Sequence, residues 1–211
     1  MDLLRLDHFR AFAGYWRVNG NSKTAICGKW INSPGRTLLN KLKNDLGTNY
    51  LPIIAEDLGV ITPDVEKLRE KFELPGMKIL QFAFDGNKDN PYLPKNIEGE
   101  NWVVYTGTHD NSTSLSWWEC LDNDSKTRIK NEYQFSGNPS WSLIEIGMDT
   151  TANLFVAPIQ DILSLDDSSR LNIPGTTKNN WKWKLNRPLD EIEDRLRIFS
   201  EVGNNYGRIR E

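Results

Sequence analysis

The sequence predicts an α/β protein built on parallel strands. Three observations carry that expectation. Short apolar runs alternate with helix-patterned segments along the chain, the order that produces β-α-β units. The apolar runs are continuous rather than alternating, as they are in strands of a parallel sheet covered by helices on both faces. The 211 residues are 38% apolar and 26% charged, with a formal net charge of −3, the composition of a soluble globular chain of one or at most two domains.

Each element has its own justification. Residues 3–6 (LLRL) form a short apolar segment ending in Asp7-His8. Residues 37–46 have helical spacing, with Gly47 as the stop. Residues 51–55 (LPIIA) read as a buried strand that ends in Glu56-Asp57. Thr62 caps, and Pro63 begins, a helix reaching about Phe72. Residues 77–84 (MKILQFAF) and 102–106 (WVVYT) are strands, the second leading into Gly107-Thr108-His109-Asp110. Residues 112–121 and 140–150 are helical by pattern, and residues 154–157 (LFVA), closed by Pro158, make a fifth strand. Residues 189–202 form an amphipathic closing helix with Gly203 after it. Two architectures compete, an open doubly wound sheet and an eight-stranded barrel. The chain has no G-x-G-x-x-G and no G-x-x-x-x-G-K-[ST], which weakens the nucleotide-binding form of the open sheet.

Composition excludes several functions. An acidic balance argues against a surface that tracks a phosphate backbone, hence against nucleic acid. No apolar run approaches the roughly 18 residues of a membrane span, and the first residues lack the pattern of a signal peptide. Cys27 and Cys120 are far apart and form no C-x-x-C, which predicts two reduced thiols in a cytosolic protein. Eight Trp raise the prospect of a carbohydrate ligand, because flat indoles stack on sugar rings, although core packing accounts for many of them.

Three of the strands end in carboxylates: Asp7, Glu56 and Asp110. In a parallel barrel the C-terminal rim carries function, because side chains from several strands converge there. Acids sharing a cleft repel one another, which raises the pKa of at least one. One ionised and one protonated carboxyl suit glycosidic chemistry: the first attacks the anomeric carbon and the second protonates the leaving oxygen. The bland alternative is that each acid caps a helix or pairs with a neighbouring Arg. A metal site is another reading, since His8 and His109, the only two histidines, both adjoin these acids; no H-x-H or H-E-x-x-H spacing supports it. Arg5 and Arg10 flank Asp7, and a cation there favours its ionised form, although Arg10 serves equally well as a structural ion pair.

The motifs LRLDHFRAFAGYW (residues 4–16), LPIIAEDLGVITPDVEKLR (51–69), LPGMKILQFAF (74–84), NPYLP (90–94), VVYTGTHDN (103–111) and LNIPGTTKNNWKWKL (171–185) closely resemble the 4-alpha-glucanotransferases. These are the amylomaltases or disproportionating enzymes, glycoside hydrolase family 77, and the likeness covers nearly the whole chain. The resemblance implies a TIM (β/α)8 barrel and no cofactor or metal. It implies that Asp7 is the nucleophile, Glu56 the general acid/base, and Asp110 the acid that binds sugar hydroxyls and stabilises the transition state. Arg5 and His109 fall on sugar- and nucleophile-contacting positions, and Asn172 falls near the acceptor side. Ala11 departs from the Gly expected after D-H-F-R. The implied reaction moves a segment of an alpha-1,4-glucan or maltooligosaccharide onto the 4-hydroxyl of an acceptor, through a covalent glucosyl-Asp7 intermediate. Trp16, Trp117, Trp118, Trp181 and Trp183 are candidate sugar platforms; the period-two spacing of the last two also fits strand packing.

The family's barrel needs eight strands and this chain shows five, the first bearing the nucleophile on what is the family's fourth strand. Residues 1–211 are therefore expected to be a single incomplete barrel domain, strands four to eight with their helices. Exposed sheet edges predict aggregation or oligomerisation unless a separate N-terminal barrel fragment completes the fold. Two further readings follow: an inactive glucan-binding remnant and a metal-dependent barrel hydrolase. The implied setting is cytoplasmic, with a plastid as the alternative.

Overall fold

The computed structural model describes residues 2–133, 135 and 137–208. The chain divides into two compact units, residues 1–77 with 101–103 and residues 78–100 with 104–211.

In the first unit, β1 (Leu4–Leu6) leads into a short helix α1 (Arg10–Ala13) and an antiparallel ribbon of β2 (Gly14–Val18) and β3 (Gly28–Asn32). Helix α2 (Gly35–Leu46) stops where Gly47 takes φ 62°, the left-handed turn expected of it. Strand β4 (Ile53–Ala55), buried along its length, pairs in parallel with β1, with Leu4 opposite Ile53, Arg5 opposite Ile54 and Leu6 opposite Ala55. Helix α3 (Pro63–Lys71) follows. Phe9, Leu39, Ile53, Ala55, Val65 and Leu74 form the core beneath this strand pair. Thr62 stands at the start of α3 but its side chain accepts no N–H of the helix; its hydroxyl accepts from Arg10 at 3.1 Å, and Pro63 sets the first helical φ instead.

Strand β5 (Gly76–Ile79) is shorter than residues 77–84 predict: residues Leu80–Phe82 tighten into a 3-10 turn, in which buried Gln81 turns its amide to the carbonyl of Ser112 at 2.9 Å. At the start of β5, Gly76 is squeezed. A Cβ there would lie 2.5 Å from Asp57 Oδ2 and 2.6 Å from the Trp102 ring. Those groups belong to a buried assembly in which Asp57 pairs with Arg69 at 3.2 Å and accepts the Met77 N–H at 2.8 Å, while the Arg69 guanidinium lies 4.5 Å over Trp102. Gly76→Ala is expected to destabilise by about 3 kcal/mol, the cost of overpacking a site that cannot yield. A denaturant titration checks it; an unshifted midpoint would mean the assembly relaxes freely.

Strand β6 (Trp102–Tyr105) begins in residues 101–103 of the first unit, and the second unit continues with α4 (Ser114–Cys120), α5 (Asn123–Tyr133), α6 (Pro139–Met148), β7 (Leu154–Val156), α7 (Ile159–Ile162) and α8 (Glu193–Asn205). Sheet order is β5-β6-β7. Thr113 caps α4 by accepting from Ser116 N, and Asn138 caps α6 by accepting from Ser140 N and Trp141 N. Phe199 and Val202 of α8 pack on Ile144, Met148 and Ile162. Gly203 does not end α8. It is buried inside the helix, and the turn is made by Gly207 at φ 66°. Cys27 and Cys120 are both free and exposed. No helix among the described residues is long and apolar enough to cross a membrane.

Candidate active site

The parallel pairing of β1 and β4 dictates where Asp7 and Glu56 go. Each follows the last residue of its strand, one position beyond the Leu6–Ala55 pair. Neighbouring strands run about 4.8 Å apart, so two carboxyl side chains leave the same end of adjacent strands. The chain then locks there: Glu56 N donates to Leu6 O at 3.0 Å and Phe9 N donates to Glu56 O at 2.9 Å. His8 takes φ 50°, a left-handed conformation that is uncommon for a non-glycine residue. Its backbone N–H donates to Glu56 Oε2 at 2.5 Å, and Leu58 N–H donates to Glu56 Oε1 at 3.2 Å.

These groups differ in setting. Glu56 is half-buried, and that burial raises its pKa above the usual 4.5; the His8 and Leu58 N–H groups and the Arg5 charge pull the other way, while Asp7 adds to the rise. Asp7 is exposed and receives Arg5 Nη2 at 2.8 Å. Arg5 is itself steadied by Nε donating to the buried Met77 Sδ at 3.3 Å. Arg10 turns away from Asp7: it bonds Val60 O at 2.7 Å and stacks 4.4 Å over Trp30. Of the two roles open to Arg10, the structure gives it a structural one.

His109, Asp110 and Asn172 lie together in the second unit, outside any helix or strand. Asn172 Nδ2 donates to Asp110 Oδ1 at 2.5 Å, and His109 Nε2 lies 3.3 Å from the same oxygen. The His109 ring packs against Trp181, 63% exposed, with centroids 5.2 Å apart. The Thr108-to-Asn111 turn is held from within, since Thr108 N and Oγ1 both donate to Asn111 Oδ1, at 2.9 and 2.8 Å. Two residues that sequence reasoning passed over organise this region. Arg170 donates to the carbonyls of Asp110 and Asn172. Buried Asp161 accepts from Thr106 Oγ1, Ser114 Oγ and Ser114 N. Their signals were faint, a single Arg two residues before Asn172 and a single acid inside the apolar IQDIL stretch.

The aromatic candidates separate. Trp181 is exposed beside His109. Trp16 is exposed on the β2–β3 ribbon, edge-on to Trp30. Trp117 and Trp118 are half-buried and pack among Phe84 and Phe135, with Trp118 stacked on Phe135 at 4.9 Å. Trp183 lies in an irregular segment, so its spacing from Trp181 does not reflect a strand. Among the described residues no group of three His, Cys, Asp or Glu is placed to hold a metal ion.

Comparison with known proteins adds the lineage. The 4-alpha-glucanotransferase model of glycoside hydrolase family 77 matches residues 1–190. The 4-alpha-glucanotransferase of Synechocystis is 44% identical over 99% of this chain and 41% of its own length. The chloroplastic/amyloplastic 4-alpha-glucanotransferase of Arabidopsis thaliana is 44% identical over 99% of this chain and 36% of its own. The chain thus spans about two fifths of the length of these relatives. Amylomaltase from Streptococcus agalactiae, solved in complex with acarbose, superposes with a TM-score of 0.91 at 35% identity, over 99% of this chain and 42% of that one. Amylomaltase from Corynebacterium glutamicum, 16% identical, shares the fold with a TM-score of 0.71. On the family match from residue 1 to 190, this α/β chain belongs to the 4-alpha-glucanotransferase family, the amylomaltases.

Proposed function

We propose that the protein transfers a segment of an alpha-1,4-glucan to the 4-hydroxyl of an acceptor glucan or glucose, with retention of configuration. The observation that carries this is the in-register exit of Asp7 and Glu56 from the paired ends of β1 and β4. Retaining glycosidases hold their two carboxyls about 5–5.5 Å apart, close to the strand spacing that sets this pair. Exposed Asp7, with Arg5 balancing its charge, is the nucleophile. Half-buried Glu56, whose pKa is raised, keeps its proton for the departing glucan oxygen and then takes the acceptor's 4-hydroxyl proton. Asp110 binds sugar hydroxyls and stabilises the oxocarbenium-like transition state; Arg5, His109 and Asn172 bind sugar, and Trp181 offers its face to an acceptor ring.

The proposed frame is strands four to eight of a (β/α)8 barrel, completed by barrel strands on a separate N-terminal fragment or on the same protein. The proposed setting is cytoplasm or plastid.

Incubation with maltotriose tests the reading. A ladder of longer oligomers plus glucose, unchanged by chelator, is expected; binding without a ladder, or loss with chelator, would refute it. The pH profile tests Glu56. Because burial raises its pKa in the substrate-free protein, the proton persists to higher pH than on an ordinary carboxyl, so the alkaline limb of kcat/KM lies above the usual Glu range. Glu56→Gln is expected to lower transfer by roughly 10²–10⁴-fold and to remove that limb; a limb that survives would assign it to another group.

A further inference from the structure

We propose that Arg170 is a positioning residue: one guanidinium presets the Asn172–Asp110 pair by holding the backbone of both residues at once. The role assigned to that pair rests on the glucan reading above.

The turn carrying Asp110 is held from within by Thr108 and Asn111, but the side-chain link from Asp110 to Asn172 is long-range. Asp110 and Asn172 stand 62 residues apart, and neither lies in a helix or strand. A single side-chain hydrogen bond near solvent contributes little net stability, because water offers both groups equivalent bonds. Its geometry therefore has to be imposed through the backbone. Arg170 does this with three separate N–H directions. Nη2 donates to the Asp110 carbonyl at 2.7 Å, Nε donates to the Asn172 carbonyl at 2.9 Å, and Nη1 donates to Ser112 Oγ at 3.1 Å.

The guanidinium is itself held. Asp167 lies 3.4 Å from Nη1 and is pinned at the start of α4, accepting the Thr113 N–H at 2.8 Å and donating its own N–H to Ser116 Oγ at 2.9 Å. The Arg170 side chain is 18% exposed, so its fork is packed in place. A Lys ammonium, a point donor on a flexible stem, cannot span two carbonyls in fixed directions. The loop carrying Asp110 and the loop carrying Asn172 would then drift independently.

The test reads position and rate separately. In the ¹⁵N-labelled protein, the Asn172 side-chain amide is identified by its loss in Asn172→Ala. In wild type its bonded proton is expected downfield of free Asn amides. In Arg170→Lys, with circular dichroism unchanged, it is expected to return to the free position. Transfer from maltotriose should fall about a hundredfold, the consequence of an approximately 1 Å misplacement. Adding Asn172→Ala to Arg170→Lys should cost less than about threefold more, as expected of residues that act through one another.

An Asn172 signal that stays downfield in Arg170→Lys, or two substitutions whose losses multiply, would overturn the inference. If that signal collapses while wild type makes no ladder, the role of Arg170 stands and the glucan reading falls. Should Arg170→Lys fail to fold, Arg170→Gln, whose shorter side chain carries both its N–H donors on one nitrogen and so cannot reproduce the Nε and Nη2 bonds to the two carbonyls, carries the same readouts.

Discussion

Asp7→Asn is expected to abolish glucan transfer, by about 10⁴-fold or more, while leaving the fold in place. An amide oxygen cannot form the glucosyl ester that a carboxylate forms, and removing a nucleophile costs nearly the whole covalent route. The structural cost is small. The bond lost is the Arg5–Asp7 ion pair, whose Asp7 side chain is 76% exposed, and such exposed pairs contribute up to about 1 kcal/mol. Loss of activity without loss of stability is therefore the expected signature. A fluorinated glucosyl donor that traps the intermediate makes the assignment direct. In wild type, mass spectrometry should find the sugar on the peptide containing Asp7, and in Asp7→Asn it should find none. Retained transfer in Asp7→Asn, or an adduct on Asp110 instead, would overturn the role.

Asp7 and Glu56 were legible because two local signals coincide at each, a short apolar run and a carboxylate immediately after it; Asp110 instead stands in a turn five residues past the end of β6. Burial of β4 along its whole length is what the LPIIA run foretells. The β2–β3 ribbon was not legible, because its residues Gly14–Val18 and Gly28–Asn32 hide no side chain fully. It is held instead by long-range contacts, the Trp16–Trp30 pair and Arg10 over Trp30, which leave no period in the sequence. Thr62 and Gly203 mislead for a related reason. Each has the right residue type for a helix end, yet tertiary contacts reassign it: the Thr62 hydroxyl serves Arg10, and Gly203 is buried within α8 beside Phe199 and Val202, which pack on the α6 face. Gln81 breaks the expected strand for the same cause, a side chain committed to a carbonyl 31 residues away. Asp7 and Glu56 could be read because they sit at strand ends; Arg170 and Asp161 could not, because their bonds run to partners distant along the chain.

Asp161 gives the second large effect, and its two simplest substitutions should diverge. The carboxyl is 1% exposed and its three bonded partners are neutral: Thr106 Oγ1 at 2.5 Å and Ser114 Oγ at 2.7 Å on Oδ2, and Ser114 N at 2.7 Å on Oδ1. Asp161→Ala strands two hydroxyls and an N–H in a dry interior, at about 1–3 kcal/mol each, for an expected loss of roughly 3–5 kcal/mol. Asp161→Asn keeps the acceptor for Ser114 N–H, and the two hydroxyls can rotate to accept from its amide. It also removes a buried ionisable group. Burial raises the Asp161 pKa above the ordinary 3.8, against the pull of the Thr106 and Ser114 bonds, so the folded state holds this proton more tightly than the unfolded chain does. The resulting stabilisation is complete below about pH 3.8 and is lost as pH rises through the raised value. Asp161→Asn has no such proton to lose. Denaturant titrations across pH should therefore show wild type losing stability relative to Asp161→Asn as pH climbs, until Asp161 is fully ionised and the difference levels off. Comparing the two proteins cancels Glu56, whose raised pKa acts with the same sign in both. Because Thr106 and Ser114 bracket the segment that carries His109 and Asp110, Asp161→Ala should also lose transfer while Asp161→Asn retains it. A pH-independent difference, or equal stability of the two variants, would show that the buried carboxyl neither holds the proton nor ties the segment down.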